Sequence, residues 1–91
     1  MTINQLQQIL EVEKVNINHY SLSEETFIEA TEGLLIRKTE NGKWKLIFEE
    51  RGVQKVEGVY SNQHDVCIEF LKEMAYSYKQ LQKYIPKSEA V

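Results

Sequence analysis

Apolar residues recur along the chain with a helical period first, then with alternation, then with a helical period again. The first helical group consists of Ile3, Leu6, Ile9 and Leu10. Thr2 and Gln5 form a T-x-x-Q capping pattern just before it, so the spacing predicts a helix over residues 3–13. Residues 17–22 (INHYSL) are consistent with a short extended segment, and residues 23–31 fit neither period.

The middle of the chain has the alternation of a sheet. Residues 34–39 predict one strand and residues 43–49 a second, with Trp44, Leu46 and Phe48 on one face. Asn41-Gly42 between them predicts a type I′ hairpin turn, in which both central residues have positive φ. Arg51-Gly52 predicts the next turn, before a strand over residues 53–60. The pattern indicates an antiparallel meander of three strands, or of four if residues 17–22 join it.

A second amphipathic helix follows the sheet. Ser61 or Asn62 is the expected cap, and apolar spacing continues to about residue 84, before Pro86. Its apolar positions are Val66, Cys67, Phe70, Leu71, Met74, Tyr78 and Leu81. We therefore expect one α+β domain over residues 1–91, with a long C-terminal helix packed on the Trp44 face of the sheet and residues 86–91 as a frayed tail.

Composition excludes several classes of protein. Hydrophobic residues make up 42% and charged residues 27% of the chain, which are ordinary globular proportions. No apolar run approaches the roughly 18 residues of a membrane span, and the N-terminus lacks the pattern of a signal peptide. The single cysteine, Cys67, cannot form an internal disulfide, so we expect a cytoplasmic protein.

Charge is distributed unevenly along the chain. The net charge is −3, and residues 1–32 carry six acidic residues against Lys14 alone, which gives −5. Residues 33–60 carry six basic residues against four acidic ones, which gives +2. An acidic N-terminal third is unfavourable for binding phosphate but suits a basic protein partner. The alternative is an ordinary solvated acidic surface.

Candidate catalytic and metal-binding residues are few. His64 and Cys67 are one helical turn apart, but a zinc site needs three or four ligands and Cys67 belongs to the apolar stripe. No serine or cysteine has a patterned histidine partner, and Glu49-Glu50 on a strand point to opposite faces. The four glycines are spread out and match turns, not a phosphate loop. We therefore predict a protein that is not an enzyme and has neither a cofactor nor a metal site.

Two other functions remain open from the residues. The order helix, three strands, helix is also that of double-stranded-RNA-binding domains, so a small nucleic-acid-binding module is the main alternative. Its second helix would begin Asn62-Gln63-His64-Asp65, with no basic residue before Lys72. Arg37, Lys43, Lys45 and Lys55 are the candidates for a basic patch on the strands. Tyr76, outside the apolar stripe, raises the possibility of self-association.

Residues 17–71 resemble a family of small immunity proteins of bacterial polymorphic toxin systems. The likeness lies in His19 to Leu22 (HYSL), in Gly42-Lys43-Trp44 followed by Glu50-Arg51-Gly52, and in the segment SNQHDVCIEFL from Ser61 to Leu71. Members are often about as long as this chain.

The resemblance implies a non-enzymatic inhibitor that binds a cognate toxin domain, usually encoded just upstream. Such toxins are frequently nucleases with basic surfaces, which acidic residues would attract. On charge alone, not from the family motif, the candidate partner-binding residues are Glu24, Glu25, Glu29, Glu32, Glu49 and Glu50.

Overall fold

A computed structural model describes residues 1–25, 28 and 30–87 of the chain. The helices are α1 (Ile3–Val12) and α2 (Gln63–Met74), with 3₁₀ segments at Ile17–His19 and Lys79–Tyr84. The strands are β1 (Tyr20–Ser21), β2 (Glu32–Lys38), β3 (Trp44–Glu50) and β4 (Val53–Tyr60), which form one sheet in the order β1-β2-β3-β4. The predicted α+β class with an N-terminal helix is confirmed.

The capping box predicted for α1 is present. Thr2 Oγ1 accepts the Gln5 N–H at 3.2 Å, and Gln5 Oε1 accepts the Thr2 N–H at 2.9 Å. These bonds satisfy backbone donors that the first turn of a helix leaves free. The helix buries Leu6 and Leu10 completely.

The sheet is mixed, so the prediction of a purely antiparallel meander is right for three strands and wrong for the fourth. β2, β3 and β4 are antiparallel neighbours, whereas β1 pairs with β2 in parallel, with Tyr20 opposite Leu34. A tight turn can join only antiparallel strands. Residues 22–31 instead carry the chain from the end of β1 back to the start of β2, and the sequence pattern of this connection gives no strand direction.

Both predicted turns are present, but the first does not have the predicted type I′ geometry. The loop between β2 and β3 has positive φ at Gly42 and not at Asn41, and the Gly42 N–H donates to Thr39 O at 3.1 Å. The positive-φ pair that a type I′ turn needs lies instead at Arg51 (52°) and Gly52 (83°), between β3 and β4.

One face of the sheet forms the core with the helices. Leu34, Ile36 and Leu46 pack in the same cluster as Phe70 and Leu71 of α2, and Trp44 and Phe48 pack against it half-buried. The predicted packing of the helices on the Trp44 face is confirmed. The other face, called here the outer face, carries Leu35 and Ile47, which are also buried.

The predicted long C-terminal helix is not confirmed. α2 begins after the cap Asn62, whose Oδ1 accepts the Asp65 N–H at 2.9 Å, and it ends at Met74 after 12 residues. Tyr78 leaves helical geometry with φ −123° and ψ 81°, and the chain continues as the 3₁₀ segment. Leu81 is nevertheless fully buried, so the apolar spacing beyond Met74 reflects core contacts made by a second, separate segment.

Two sequence predictions concern the ends and the surroundings of the chain. Residues 88–91 of the predicted tail lie outside the described residues. Within the described part, no helix combines the length and the apolar character needed to cross a bilayer.

Candidate protein-binding surface

The structure describes five of the six predicted contact residues and places them in two regions. Glu24 and Glu25 are exposed in the turn after β1, and Glu29 lies outside the described residues. Burial lowers the pKa of the Arg37 guanidinium, and the charges of Glu24 and Glu49 oppose this effect. Arg37 lies on the outer face. Glu32 and Glu50, at the start of β2 and the end of β3, belong to the opposite face, since they follow the register of Leu34 and Phe48.

The strand register places two carboxylates directly opposite each other. Glu32 pairs with Glu50 across the β2–β3 ladder, and both are exposed. Like charges at facing positions repel, which destabilises the pair. Among the described residues, neither carboxylate forms an ion pair that would compensate the repulsion.

A cleft of about 410 Å³ lies beside Glu32, between the sheet and the C-terminal end of α2. Its apolar wall consists of Leu34, Phe48 and Met74. Its polar side chains are His19, Glu32, Glu73, Ser77 and Tyr78. An apolar concavity with a few polar groups at its edge is the usual form of a binding site.

A hydrogen bond holds two of the polar side chains of this cleft in place. The Tyr78 hydroxyl lies 3.0 Å from His19 Nδ1, and the Asn16 N–H donates to the same hydroxyl oxygen at 3.4 Å. The two rings are tilted by 56° with centroids 6.4 Å apart. The chain leaves helical geometry after Met74, and the Tyr78 hydroxyl then bonds Asn16 and His19, which precede β1.

Three acidic residues of α2 extend the negative surface away from the cleft. Asp65, Glu69 and Glu73 are spaced four apart and so lie on one face of the helix. After burial, the charges of Glu69 and Glu73 are the main causes that raise the pKa of Tyr60, which places this helix face beside β4. Glu57 of β4 and Asp65 act on Tyr60 in the same direction.

Six acidic residues, linked by the strand register, by the cleft and by their effect on Tyr60, are called here the acidic face, and Lys72 lies among them. It consists of Glu32, Glu50, Glu57, Asp65, Glu69 and Glu73. Glu73 connects its two halves, because it both acts on Tyr60 and lines the cleft with Glu32. The only ion pair that these residues form within the described part of the chain joins Glu69 to Lys72 at 3.2 Å.

Sequence reasoning missed the contribution of α2. The last third of the chain has four acidic residues and four lysines, so its charge by segment is neutral. The four-residue spacing of Asp65, Glu69 and Glu73 was the signal that could have revealed the acidic stripe.

Of the basic residues considered for nucleic acid, Lys55 lies on a different face of the sheet from Arg37 and Lys45. Arg37 and Lys45 are opposite each other on the outer face, whereas Lys55 lies opposite Phe48 on the core side. Arg37 is half-buried and donates to Ser21 O at 3.2 Å and to Ser21 Oγ at 2.7 Å. Its guanidinium therefore has intramolecular partners.

His64 and Cys67, which are one helical turn apart in the sequence, differ in burial. Cys67 is fully buried, and burial raises the pKa of its thiol to about 11. His64 is exposed, with Nδ1 2.8 Å from the N-terminal amino group. The described residues contain no group of three or more histidine, cysteine or acidic side chains arranged to hold a metal ion.

Comparisons with protein-family models, with curated proteins and with solved structures found no match to this chain. The immunity-protein resemblance therefore stays a prediction from the sequence.

Proposed function

We propose that this protein is an immunity protein that binds a cognate bacterial toxin domain with a basic surface, such as a nuclease, and neutralises it without covalent chemistry. The observation that carries the proposal is the acidic face. Its six carboxylates come from β2, β3, β4 and α2, and among the described residues only Glu69 forms an ion pair.

Electrostatics gives this surface a physical role. Unpaired charges of one sign attract an oppositely charged partner over about one Debye length, roughly 8 Å at physiological ionic strength, and so raise the association rate. Of the sequence-derived contact residues, Glu32 and Glu50 belong to the acidic face, while Glu24, Glu25 and Glu49 would make a second contact region near Arg37.

The distribution of basic residues favours this function over nucleic-acid binding. A nucleic-acid module needs several cations that follow a phosphate backbone. Here Arg37 and Lys45 lie on the outer face, Lys55 lies on the core side, and Arg37 bonds Ser21.

The test is growth of a bacterial host that expresses the toxic tail of the reading frame just upstream, with and without this chain. Rescue of growth, and co-purification of the two proteins, is the expected result. A toxic tail that this chain neither rescues nor binds would overturn the proposal.

Charge-reversal variants test whether rescue of growth depends on the acidic face. Glu69→Lys with Glu73→Lys should weaken rescue, whereas Glu11→Lys with Glu40→Lys should not, although both pairs change the net charge equally and replace glutamates of the protein surface. Glu24→Lys with Glu25→Lys tests the sequence-derived region separately.

A further inference from the structure

We propose that the cleft formed by His19, Glu32, Phe48, Glu73 and Tyr78 binds one arginine side chain projecting from the partner protein. This inference rests on the proposed function and names the chemical group that the acidic face would capture.

The charge at the cleft determines the sign of the ligand. Glu32 and Glu73 both line it, and within the described residues neither carboxylate has an ion-pair partner. Glu32 is also repelled by Glu50 across the ladder. A bound cation would relieve this repulsion, whereas a phosphate or carboxylate ligand would increase it.

The walls of the cleft favour a guanidinium over a compact ammonium ion. Phe48 and Tyr78 line the cleft together with the carboxylates, and the Tyr78 hydroxyl is held by His19 and Asn16. A guanidinium is planar, weakly hydrated and able to stack on such rings while it bonds a carboxylate through two N–H groups. The apolar stem of arginine would contact Leu34 and Met74.

A second groove, between the two helices, does not have this chemistry. It is lined by Ile9, Val12 and Tyr84, and also by Met1 and His64. The N-terminal amino group of Met1 bonds His64 at its edge and adds a positive charge. A cationic side chain is therefore directed to the Glu32–Glu73 cleft and not to this groove.

The experiment is an NMR titration of the ¹⁵N-labelled protein with N-acetyl-arginine methylamide. The neutral isostere N-acetyl-citrulline methylamide and N-acetyl-lysine methylamide are titrated in parallel. We expect saturable amide shifts at Gly33, Ser77 and Tyr78 with the arginine probe, on the order of millimolar affinity for so small a ligand. The lysine probe should bind several-fold more weakly, and the citrulline probe should give no saturable shift.

Neutral variants test whether the amide shifts depend on the carboxylates of Glu32 and Glu73. Glu73→Gln, at an exposed position of α2, should weaken arginine binding about tenfold, and Glu32→Gln should do the same. Glu11→Gln, a matched exposed glutamate on α1, should leave binding unchanged. Because each neutral variant is checked by its own spectrum, loss of binding is distinguished from loss of folding.

Three results would overturn the inference. They are no saturable shift with the arginine probe, equal shifts with the citrulline probe, or shifts confined to residues outside the cleft. If the toxin is neutralised but the arginine probe does not bind the cleft, the arginine site is wrong and the proposed immunity function is unaffected. Arginine binding without rescue in the growth assay would refute the immunity function instead.

Discussion

Glu32 lies directly opposite Glu50 across the β2–β3 ladder, and neither carboxylate forms an ion pair within the described residues. A facing pair of like charges costs stability in the free protein. The pair lies at the end of the β2–β3 ladder beside the cleft, because Glu32 belongs to the pair and also lines the cleft. Repulsion in the free protein that a basic partner relieves would make binding more favourable.

The first prediction is that removing one charge of this pair stabilises the free protein. Glu50→Gln should raise the free energy of unfolding by roughly 0.2–1 kcal/mol at low salt, because the repulsion with Glu32 is lost. Added salt should reduce the difference by screening. Urea unfolding at two salt concentrations measures both effects, and Glu40→Gln, in the exposed β2–β3 turn, is the control. An equal gain in both variants would refute a specific repulsion between Glu32 and Glu50.

The second prediction concerns two glycines in the sheet. A Cβ at Gly33 would lie 2.7 Å from the backbone oxygen of His19, whereas at Gly58 the closest atom is the hydroxyl end of the Tyr60 side chain, at 2.5 Å. A backbone carbonyl in the β1–β2 region cannot move without disturbing the strands, while a half-buried tyrosine can rotate away. Gly33→Ala should therefore destabilise by about 1–3 kcal/mol. Gly58→Ala should stay within about 1 kcal/mol of the wild type.

Thermal or urea unfolding of the two alanine variants checks this contrast. A Gly33 variant as stable as the Gly58 variant would mean that His19 is not fixed against β2.

The third prediction is an acid-dependent loss of stability at Glu13. The Tyr84 hydroxyl donates to Glu13 Oε2 at 2.6 Å and Lys83 Nζ lies 3.0 Å away, and these donors lower the pKa of the Glu13 carboxyl. A lowered pKa in the folded protein means that the bond stabilises above the ordinary glutamate value of 4.5 and is lost as the pH falls through the lower folded value. The Glu13 carboxylate thus stabilises the contact between α1 and the C-terminal 3₁₀ segment at neutral pH, and this contribution is lost in acid.

Urea midpoints at neutral pH and below pH 4.5 measure this contribution. Glu13→Gln should lower the midpoint at neutral pH and show a smaller further loss in acid than the wild type. Glu40→Gln should follow the wild-type pH dependence. An unchanged pH dependence in the Glu13 variant would show that this carboxylate does not contribute.

The fourth prediction is that Cys67 is chemically inert while the protein is folded. The side chain is fully buried and burial raises its pKa to about 11, so little thiolate forms at pH 8. Labelling by a chromogenic disulfide reagent should proceed only as fast as the protein unfolds, and should become rapid in urea. Ser61→Cys, at an exposed position before α2, should add one rapidly labelled thiol. Rapid labelling of native Cys67 would contradict its burial.

The local parts of the fold were predictable because local residues determine them. Thr2 and Gln5 form the capping box, and Asn62 caps α2. The alternation around Leu46 and Phe48 placed the core on the correct face of β3.

The long-range parts were not predictable from the same patterns. The end of α2 at Met74 has no glycine or proline to mark it, and the buried Leu81 continued the helical spacing beyond it. The bond between Tyr78 and His19 joins positions 59 residues apart. The parallel pairing of Tyr20 with Leu34 likewise depends on a connection without a clear pattern.

The six candidate contact residues stay a prediction. Glu32 came from the acidic N-terminal third and Glu50 was added because it is nearby in chain order, and the strand register places the two opposite each other. Counting charge by segment missed Glu69 and Glu73, because the four lysines of the last third balance its four acidic residues. In the structure Glu69 pairs with Lys72, whereas Glu73 forms no ion pair within the described residues.

We propose that this protein captures a basic toxin domain through its acidic face. The most direct measurement is the association rate constant between the purified toxin domain and this chain, compared for the wild type, the Glu69→Lys/Glu73→Lys variant and the Glu11→Lys/Glu40→Lys control. We expect the wild type to bind tightly and in a salt-sensitive way. The association rate constant of the Glu69→Lys/Glu73→Lys variant should be lower by about tenfold or more, and that of the control should change little. Absence of binding by the wild type, or equal rates in the two variants, would contradict this proposal.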